Sequence, residues 1–327
     1  MIKSPIINVK NLTKKYKEFT AVNNISFQVH AGEIFGFLGP NGAGKSSTIN
    51  MLTGLAHITS GEYNVLGYSF DNYHKQFKKV MGVVPDESNM YDELTGFENL
   101  CFSGSLYGVD RDTRTKRAHN LLKKFKLENS GDKLFRYYSK GMKRKLTIAA
   151  ALIHEPKILF LDEPTTGIDV QSAREIRSLI KDLNNDGKTI FLTTHYIEEA
   201  ERLCHRIAFI VNGQIVKSDH TNNLLSGEKQ GKTLELTVDK TVPELQEKLI
   251  TQFPNLDFKV KSETSIIIES HKSGSITLYP YIHFLYQLGI NVIEAKEKKL
   301  SLEEVFVRIT GIESDAWTAN KKGEEPA

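Results

Sequence analysis

The stretch GPNGAGKS, residues 39–46, is the clearest indication of how the surrounding chain folds. It fits the pattern G-x-x-x-x-G-K-[ST] and lies between a predicted strand and a predicted helix, the context in which the pattern is informative. Its glycines let the backbone curl so that successive N–H groups point inward at phosphate oxygens. Lys45 reaches the outer phosphates as a point charge, and the Ser46 hydroxyl is suited to ligate Mg²⁺. The following helix adds the positive end of its dipole, so we predict a phosphate-binding loop.

Acidic residues follow a short apolar strand, ILFLDEP, where Asp162 and Glu163 stand at the strand end. At the carboxyl edge of a parallel sheet, neighbouring strands bring such carboxylates beside the phosphate loop. Asp162 suits the water-mediated shell of Mg²⁺, and Glu163 suits polarising an in-line attacking water. His195 ends the next apolar strand, KTIFLTTH, where its ring can reach the γ-phosphate. A lone histidine is usually only a satisfied polar residue, but this position favours a functional role.

The composition is that of an ordinary globular protein, with 39% hydrophobic and 25% charged residues among 327. The 43 basic and 40 acidic residues give a net charge of +3, which argues against a dedicated nucleic-acid binder. Cys101 and Cys204 lack metal-ligand spacing, so we predict two reduced thiols. The N-terminus shows no signal-peptide pattern. No apolar run approaches the ~18 residues of a membrane-spanning helix, so a membrane function would require another chain.

The order of strand and helix patterns predicts the fold class. KKVMGVVP, KILFLDEP and KTIFLTTH are short apolar runs between breakers, typical of central strands in a buried parallel sheet. Alternating segments before the phosphate loop predict antiparallel strands. From about residue 92 to 155 the pattern is mostly helical, IEEAERLCHRI predicts a helix, and AFIVNGQIV predicts one strand. We therefore predict an α/β protein with an N-terminal antiparallel β subdomain and a helical subdomain.

The pattern changes after Ser226, where strands and helices alternate in a smaller α+β unit. A polar tail follows that unit, and its composition predicts disorder. The predicted boundaries are 1–225 for the main domain with its helical subdomain at about 88–155, 226–232 for a linker, 233–311 for the C-terminal domain and 312–327 for the tail.

The stretch YSKGMKRKLTIAAAL, residues 138–152, places Ser139 and Gly141 where a helix should begin. A hydroxyl, a bare backbone and a positive helix end together make an anion site. We expect the basic residues that follow, Lys143, Arg144 and Lys145, to face solvent or nearby carboxylates. Contact with anionic lipid is the lesser alternative.

Taken together, the motifs over about the first 220 residues resemble the nucleotide-binding subunit of an ABC transporter. The resemblance implies a P-loop NTPase with a RecA-like parallel sheet core and a helical signature subdomain. Residues 39–47 are similar to the Walker A loop, residues 158–162 to Walker B, and residues 167–169 to the D-loop. Glu163 then corresponds to the catalytic glutamate and His195 to the switch histidine.

The resemblance also implies the nucleotide contacts. Tyr16 matches the aromatic that stacks on adenine, although Tyr16 alone would more often be a surface or core aromatic. The implied ligands of Mg²⁺ are Ser46, Asp86 and Asp162. The implied ATP-binding residues are Tyr16, Gly39, Pro40, Asn41, Gly42, Ala43, Gly44, Lys45, Ser46, Ser47, Asp86, Ser139, Gly141, Asp162 and Asp169.

YSKGM resembles the ABC signature, which usually has two glycines after its serine. In the family, this serine, its glycine and the helix N-terminus grip the γ-phosphate of ATP bound to the facing subunit. Ser139 and Gly141 are then half of a site that a second molecule completes. This implies a homodimer, or a pair with a closely related cassette, around two Mg²⁺–ATP.

Two positions depart from the family pattern. Lys140 replaces the first signature glycine, at a position that accepts side chains in exporter-type relatives. Asp86 stands where the family carries a glutamine, and an ionised aspartate can only accept hydrogen bonds and adds negative charge. We hypothesise that Asp86 still ligates Mg²⁺ but changes the hydrolysis rate, which a comparison with Asp86→Gln would test.

The segment KKLSLEEVFVRITG resembles the end of single-cassette subunits from bacterial exporters. This implies a peripheral protein on the cytoplasmic face of the inner or plasma membrane, working in export with a separate polytopic permease that contacts the substrate. NMYDELTGFENL lies where the family receives the permease, though by itself it is an ordinary loop and helix start. The C-terminal domain either senses a ligand or stabilises the dimer.

The alternative is a soluble ABC ATPase acting on ribosomes or DNA. Translation-type members usually carry two cassettes in one chain, and repair-type members interrupt the cassette with a long coiled coil. Neither feature is present in this sequence. We therefore expect no nucleic-acid partner.

Overall fold

A computed structural model describes residues 5–69, 75–226, 233–270, 277–298 and 301–312. The chain divides into two compact units, Met1–Thr221 with Phe306–Ala327 and Asn222–Val305. The predicted linker and the predicted disordered tail lie outside the described residues, apart from the first residue of each. None of the helices in the described part of the chain combines the length and hydrophobicity needed to cross a bilayer.

Both units contain strands and helices. The strands are β1 (Pro5–Tyr16), β2 (Phe19–His30), β3 (Ile34–Leu38), β4 (Ser60–Val65), β5 (Tyr68–Ser69), β6 (Met81–Val84), β7 (Ile158–Asp162), β8 (Thr189–Thr194), β9 (Arg206–Val211), β10 (Gln214–His220), β11 (Thr233–Val238), β12 (Leu256–Ser262), β13 (Ser265–Ser270) and β14 (Val292–Lys298). The helices are α1 (Lys45–Leu52), α2 (Lys75–Lys79), α3 (Gly96–Leu106), α4 (Arg111–Lys124), α5 (Lys140–Leu152), α6 (Val170–Asn185), α7 (Ile197–Leu203), α8 (Thr221–Ser226), α9 (Leu245–Gln252), α10 (Tyr279–Gln287) and α11 (Leu302–Thr310).

A six-stranded sheet with the order β10-β9-β3-β8-β7-β6 lies at the centre of the first unit. Strands β9 to β6 are parallel, and β10 is antiparallel at the edge. β3, β7 and β8 are buried along their whole length, which is why their sequences are continuous apolar runs. The rings of Phe35 and Phe37 lie 5.7 and 5.5 Å from that of Phe191, so the sheet packs through an aromatic cluster. The predicted parallel core is confirmed.

Two further parts complete the first unit. An antiparallel sheet, β2-β1-β4-β5, contains the predicted N-terminal β subdomain, and Tyr16 pairs with Phe19 at the end of its first hairpin. Helices α3, α4 and α5 form the predicted helical part. Thr95 begins α3 with a capping box in which the Glu98 side chain accepts a hydrogen bond from the Thr95 backbone N–H. Cys101 and Cys204 are free thiols, as predicted.

The prediction of one strand over AFIVNGQIV is wrong, because this segment is a hairpin of β9 and β10. Asn212 and Gly213 turn the chain with φ angles of 48° and 75°. A two-residue type I′ turn requires positive φ at both positions, which asparagine and glycine adopt readily. The helix predicted over IEEAERLCHRI also stops early, at Leu203, because the chain enters β9 at Arg206.

The second unit follows the order β11-α9-β12-β13-α10-β14. Its antiparallel sheet has the order β12-β13-β11-β14, the arrangement of a split βαβ fold. Alternate residues of β11 and β13, such as Leu236 and Ile266, are buried with Phe258 and Leu285 in a separate core. The α+β class predicted for this part is confirmed.

The two units divide differently from the predicted domain boundaries near the C-terminal end. Phe306 groups with the first unit, whereas the sequence-based boundary placed residues up to 311 in the C-terminal domain. The Phe306 ring is fully buried and meets the Phe209 ring of β9 edge-on at 5.3 Å. The predicted boundaries remain predictions.

Candidate active site

A cleft of about 380 Å³ opens at the carboxyl ends of the central strands. The phosphate loop, the β1–β2 hairpin and the segments after β6, β7 and β8 contribute to its wall. The lining residues are Tyr16, Phe19, Ala21, Asn41, Gly42, Gly44, Lys45, Ser46, Ser47, Asp86, Glu163, Thr166 and His195. Most of the predicted nucleotide and catalytic residues therefore lie around one cavity.

The phosphate loop places Lys45 at the centre of this cleft. Gly44 precedes α1 with a φ of 99°, and a side chain there would collide with the Ala21 carbonyl, so only glycine fits. The Lys45 ammonium donates to the carbonyls of Gly39 and Pro40, both at 3.0 Å, and is 4% exposed. Burial lowers the pKa of Lys45, and the nearby carboxylate of Glu163 opposes this effect. The loop thus holds a cation where phosphate would lie.

Glu163 follows β7 with a positive φ of 46°, and its side chain meets Lys45 and His195. Its Oε1 lies 3.3 Å from Lys45 Nζ, and its Oε2 lies 2.7 Å from His195 Nδ1. Thr166 donates a third contact to Oε2 at 2.8 Å. Burial raises the pKa of Glu163, but the hydrogen bond from His195 and the charge of Lys45 outweigh it and bring this pKa to about 2. Glu163 is therefore a carboxylate at neutral pH.

Two further carboxylates lie beside Glu163. Asp162 is buried at the end of β7 and accepts a hydrogen bond from the Thr193 hydroxyl. Asp86 is exposed at the rim of the cleft. Partial burial and the charges of Glu163 and Asp162 raise the pKa of Asp86, while Arg144 opposes them. Negative charge is therefore concentrated at this edge, as a cation site requires.

The donor set fits Mg²⁺, because hard cations prefer carboxylate, hydroxyl and phosphate oxygens. The described residues contain no cluster of three His, Cys, Asp or Glu side chains that could hold a metal alone. Mg²⁺ commonly binds through one or two carboxylates plus substrate phosphates, so this arrangement suits a metal that arrives with a nucleotide.

The predicted residues Gly39, Pro40, Ala43 and Asp162 adjoin the cleft without lining it. Ser139, Gly141 and Asp169 lie away from it, at the N-termini of two neighbouring helices. Ser139 caps α5 by accepting from Met142 N at 3.2 Å, and Asp169 caps α6 by accepting from Ser172 N at 2.9 Å. A side chain at Gly141 would collide with Ser172, so the two helix starts pack closely there. Lys140 is exposed, which explains why this position accepts a side chain.

The expectation that the basic residues of α5 face solvent or carboxylates is wrong for Arg144. Lys143 lies 3.3 Å from Asp92, and Lys145 pairs with Glu175, as expected. Arg144 is 7% exposed and donates to backbone carbonyls. The sequence of three adjacent basic residues does not indicate that segments distant in the chain bury one of them.

Sequence reasoning also missed three residues around the cleft. Phe19 lines it beside Tyr16 and is 62% exposed, and the hairpin pairing of the two could have indicated it. Thr166 and Thr193 hold the carboxylates of Glu163 and Asp162. No short pattern distinguishes such threonines from the many others in strands and turns.

The fold and the cleft define a P-loop NTPase, with a phosphate loop before a helix and carboxylates at adjacent strand ends. The family model described as "ABC transporter" matches residues 22–166. The linearmycin resistance ATP-binding protein LnrL of Bacillus subtilis is 35% identical over 94% of this chain and 98% of that protein. The Nod factor export ATP-binding protein I of Ralstonia nicotianae is 33% identical over 95% of each.

Solved structures agree with these sequence relatives. An ATP-binding subunit of an ABC transporter superposes with a TM-score of 0.61 at 29% identity, covering 67% of this chain and 91% of that one. A dimeric post-hydrolysis cassette, MJ0796 bound to ADP and Pi, gives a TM-score of 0.60 at 29% identity, over 66% and 98%. The chain belongs to the ABC transporter family as an ATP-binding subunit, and it is an ATPase.

Proposed function

We propose that two copies of this chain close around two Mg²⁺–ATP and drive a separate membrane permease from the cytoplasmic face. The observation that carries this proposal is the division of the nucleotide-binding residues between two places. Lys45, Glu163 and His195 meet in the cleft, whereas Ser139 and Gly141 lie outside it at a helix start. A facing copy would supply the missing half to each site.

In this proposal the cleft binds one nucleotide along its length. Tyr16, which is 46% exposed, offers its ring to adenine, and the loop from Gly39 to Ser47 surrounds the phosphates. Ser46, Asp86 and Asp162 would hold Mg²⁺, which when bound neutralises charge developing on the phosphate oxygens. Ser139, Gly141 and Asp169 would face the nucleotide of the other copy.

The hydrolytic roles follow from the charges in the cleft. In the nucleotide-free cleft Glu163 has a pKa of about 2, so it is ionised and can accept a hydrogen bond that orients the attacking water. His195 and Thr166 contact one carboxylate oxygen, Oε2, and fix its direction. Lys45, now 3.3 Å from Oε1, would turn to the phosphates and leave that oxygen available to water.

A second groove supports docking of a permease. It has a volume of about 190 Å³ and lies within the segment that the sequence predicted to receive the permease and the helices beside it. Its apolar lining includes Met90, Tyr91, Phe102 and Leu106, of which Tyr91 is 51% and Leu106 71% exposed. Exposed apolar side chains beside a groove are typical of a protein-binding surface.

Export is the direction we propose. The relatives named above carry "export" or "resistance" in their names, and both match almost the whole of this chain, including its C-terminal unit. The substrate would contact the permease, because the described residues supply no membrane-spanning helix.

Trapping the closed dimer tests the proposal. Tagged Glu163→Gln protein is loaded with ATP in mildly solubilised native membranes, and co-purifying proteins are identified by mass spectrometry. We expect a stoichiometric polytopic membrane protein with ATP and much less of it without nucleotide. Recovery with ribosomes or DNA-associated proteins instead would contradict the proposal and favour a soluble ABC ATPase.

A pair of leucine variants makes this experiment specific. Leu106→Asp introduces a charge into the groove and should remove the membrane protein while ATP hydrolysis by the isolated chain continues. Leu55→Asp is the matched control, because Leu55 follows α1 and is similarly exposed at 68%. The Leu55→Asp variant should still co-purify with the membrane protein.

A further inference from the structure

Arg144 lies in the second turn of α5, five residues after Ser139, and is 7% exposed. A guanidinium has five N–H donors in a rigid fork. It makes five hydrogen bonds here, and every acceptor is a backbone carbonyl. Nε donates to the Pro164 carbonyl at 3.0 Å. One terminal nitrogen donates to the Asp86 carbonyl at 3.0 Å and also to the Pro85 carbonyl. The other terminal nitrogen donates to the carbonyls of Asp162 at 2.5 Å and Glu163 at 3.0 Å.

These carbonyls belong to two separate segments of the cleft wall. Residues 85–86 follow β6. Asp162 ends β7, the neighbouring parallel strand, and residues 163–164 follow it. Asp86 and Glu163 line the cleft. Arg144 donates hydrogen bonds to their backbone carbonyls and is not itself a lining residue. A buried guanidinium is tolerated only when its donors are satisfied, so the two segments and α5 are tied together.

The first turn of α5 and its cap, one turn before Arg144, carry the residues that would meet the facing copy. Ser139 and Gly141 stand at the helix start, roughly 7.5 and 4.5 Å along the axis from Arg144 at about 1.5 Å per residue. A helix is stiff over this distance, so a shift of its first turn moves Arg144 as well. The five hydrogen bonds would pass that shift to the backbones of Asp86 and Glu163.

We propose that Arg144 is a positioning residue that links occupancy of Ser139 and Gly141 by the facing copy's nucleotide to the placement of Glu163 in its own cleft. This inference rests on the proposed dimer. In each copy, hydrolysis would then depend on whether the other copy has bound ATP. Steady-state hydrolysis would be cooperative in ATP, and the cooperativity would depend on the guanidinium fork.

Arg144→Lys is the main test, because lysine keeps the charge and much of the length but has a single ammonium that cannot bridge both segments. We expect binding of a fluorescent ATP analogue to the monomer to stay within about twofold, since no Arg144 atom lines the cleft. In a Glu163→Gln background, we expect ATP to dimerise the chain with Arg144→Lys as well as it dimerises the chain with Arg144. The kcat should fall at least about tenfold, and the Hill coefficient should fall towards one.

Further variants separate positioning from folding. Arg144→Met is compared with Lys143→Met, the same replacement at the neighbouring residue, whose ion pair with Asp92 is partly exposed. Lys143→Met should hydrolyse ATP like the wild type. In a double-mutant cycle, Arg144→Lys should lower kcat by a smaller factor in the Ser139→Ala variant than in the wild type. The two effects should be non-additive because both residues act through α5.

The outcomes distinguish this inference from the proposed function. A wild type that stays monomeric with ATP removes the proposed dimer and the Arg144 inference with it. A dimeric wild type whose Arg144→Lys variant keeps its kcat and cooperativity removes the inference alone. A parallel loss of nucleotide binding, thermal stability and kcat in Arg144→Lys would also overturn it, because that pattern describes a purely structural residue.

Discussion

At the scale of single residues, Glu163 is held by partners that suit it to one task. Lys45 lies by one carboxylate oxygen, and His195 and Thr166 contact the other. In the nucleotide-free cleft these contacts keep the group ionised and fix its direction, so that it can accept a hydrogen bond and orient a water. When ATP enters, the phosphates compete with Glu163 for Lys45, so the nucleotide itself would release the acceptor that hydrolysis needs.

The pKa of Glu163 predicts how the stability of the nucleotide-free protein depends on pH. This pKa falls from 4.5 to about 2 on folding, so the carboxylate stabilises the fold above about pH 4.5 and less as the pH falls through that range. Glu163→Gln should therefore lower the free energy of unfolding by on the order of 2–3 kcal/mol at neutral pH. The difference from the wild type should shrink below about pH 4.5.

Urea unfolding of both proteins over this pH range provides the measurement. Glu198→Gln is a matched control, because Glu198 is an exposed glutamate whose ion pair with Arg202 should contribute little. A wild-type advantage over Glu163→Gln that does not change with pH, or that is absent at neutral pH, would show that the Lys45 and His195 contacts do not set the ionisation of Glu163.

Some residues of the cleft can be predicted from the sequence better than others, for a physical reason. Lys45, Glu163 and His195 stand at a glycine-rich turn or at the end of an apolar strand, positions that periodicity alone reveals. Arg144 stands in a run of basic residues whose pattern indicates a solvated helix end. Its burial depends on carbonyls that the fold brings from two other segments, and no local pattern contains that information.

At the scale of helices and strands, the close contact between α5 and α6 is the feature that matters most for the proposed dimer. Gly141 packs against Ser172 in the first turn of α6, whose first residue follows the cap Asp169. Any side chain at position 141 would push the start of α6 and the predicted D-loop away from the signature. The glycine is therefore needed for packing within one chain as well as for approach to phosphate.

We predict that Gly141→Ala lowers ATPase activity at least severalfold and stability by about 1–3 kcal/mol, as expected for overpacking. Ser172→Gly in the same chain removes the colliding side chain and should restore much of the loss. Lys140→Ala, at the exposed neighbouring position, should stay within about 0.5 kcal/mol of the wild type. Thermal unfolding and ATPase rates measure both effects, and a Gly141→Ala variant as stable and active as Lys140→Ala would contradict the contact.

Strands and helices could be predicted from the sequence where the hydrophobic pattern of a segment fits only one type of structure. The runs of β7 and β8 are short, apolar and bounded by breakers, and they are buried strands. AFIVNGQIV is apolar on both sides of its centre, so the hairpin depended on recognising Asn212 and Gly213 as a turn. Two turn residues inside an apolar segment are therefore a stronger signal than the apolar character of the segment as a whole.

At the scale of the whole molecule, the proposed function depends on a site that one chain cannot complete. The cleft offers the residues for binding a nucleotide and orienting water, and the starts of α5 and α6 offer an anion site outside it. Exposed apolar side chains lie near those helix starts in the chain, with Tyr137 at 70% and Val170 at 75%. They suit burial against a facing copy that brings its own nucleotide.

Light scattering of the Glu163→Gln protein during size-exclusion chromatography tests this central claim most directly. We predict a monomer without nucleotide, a dimer holding two ATP when ATP is present, and a monomer again with ADP. Adding Ser139→Glu should abolish the dimer, because its charge repels the γ-phosphate, while the cleft still binds nucleotide. A chain that binds ATP yet stays monomeric, or that forms the same dimer regardless of nucleotide and of Ser139, would contradict the shared site.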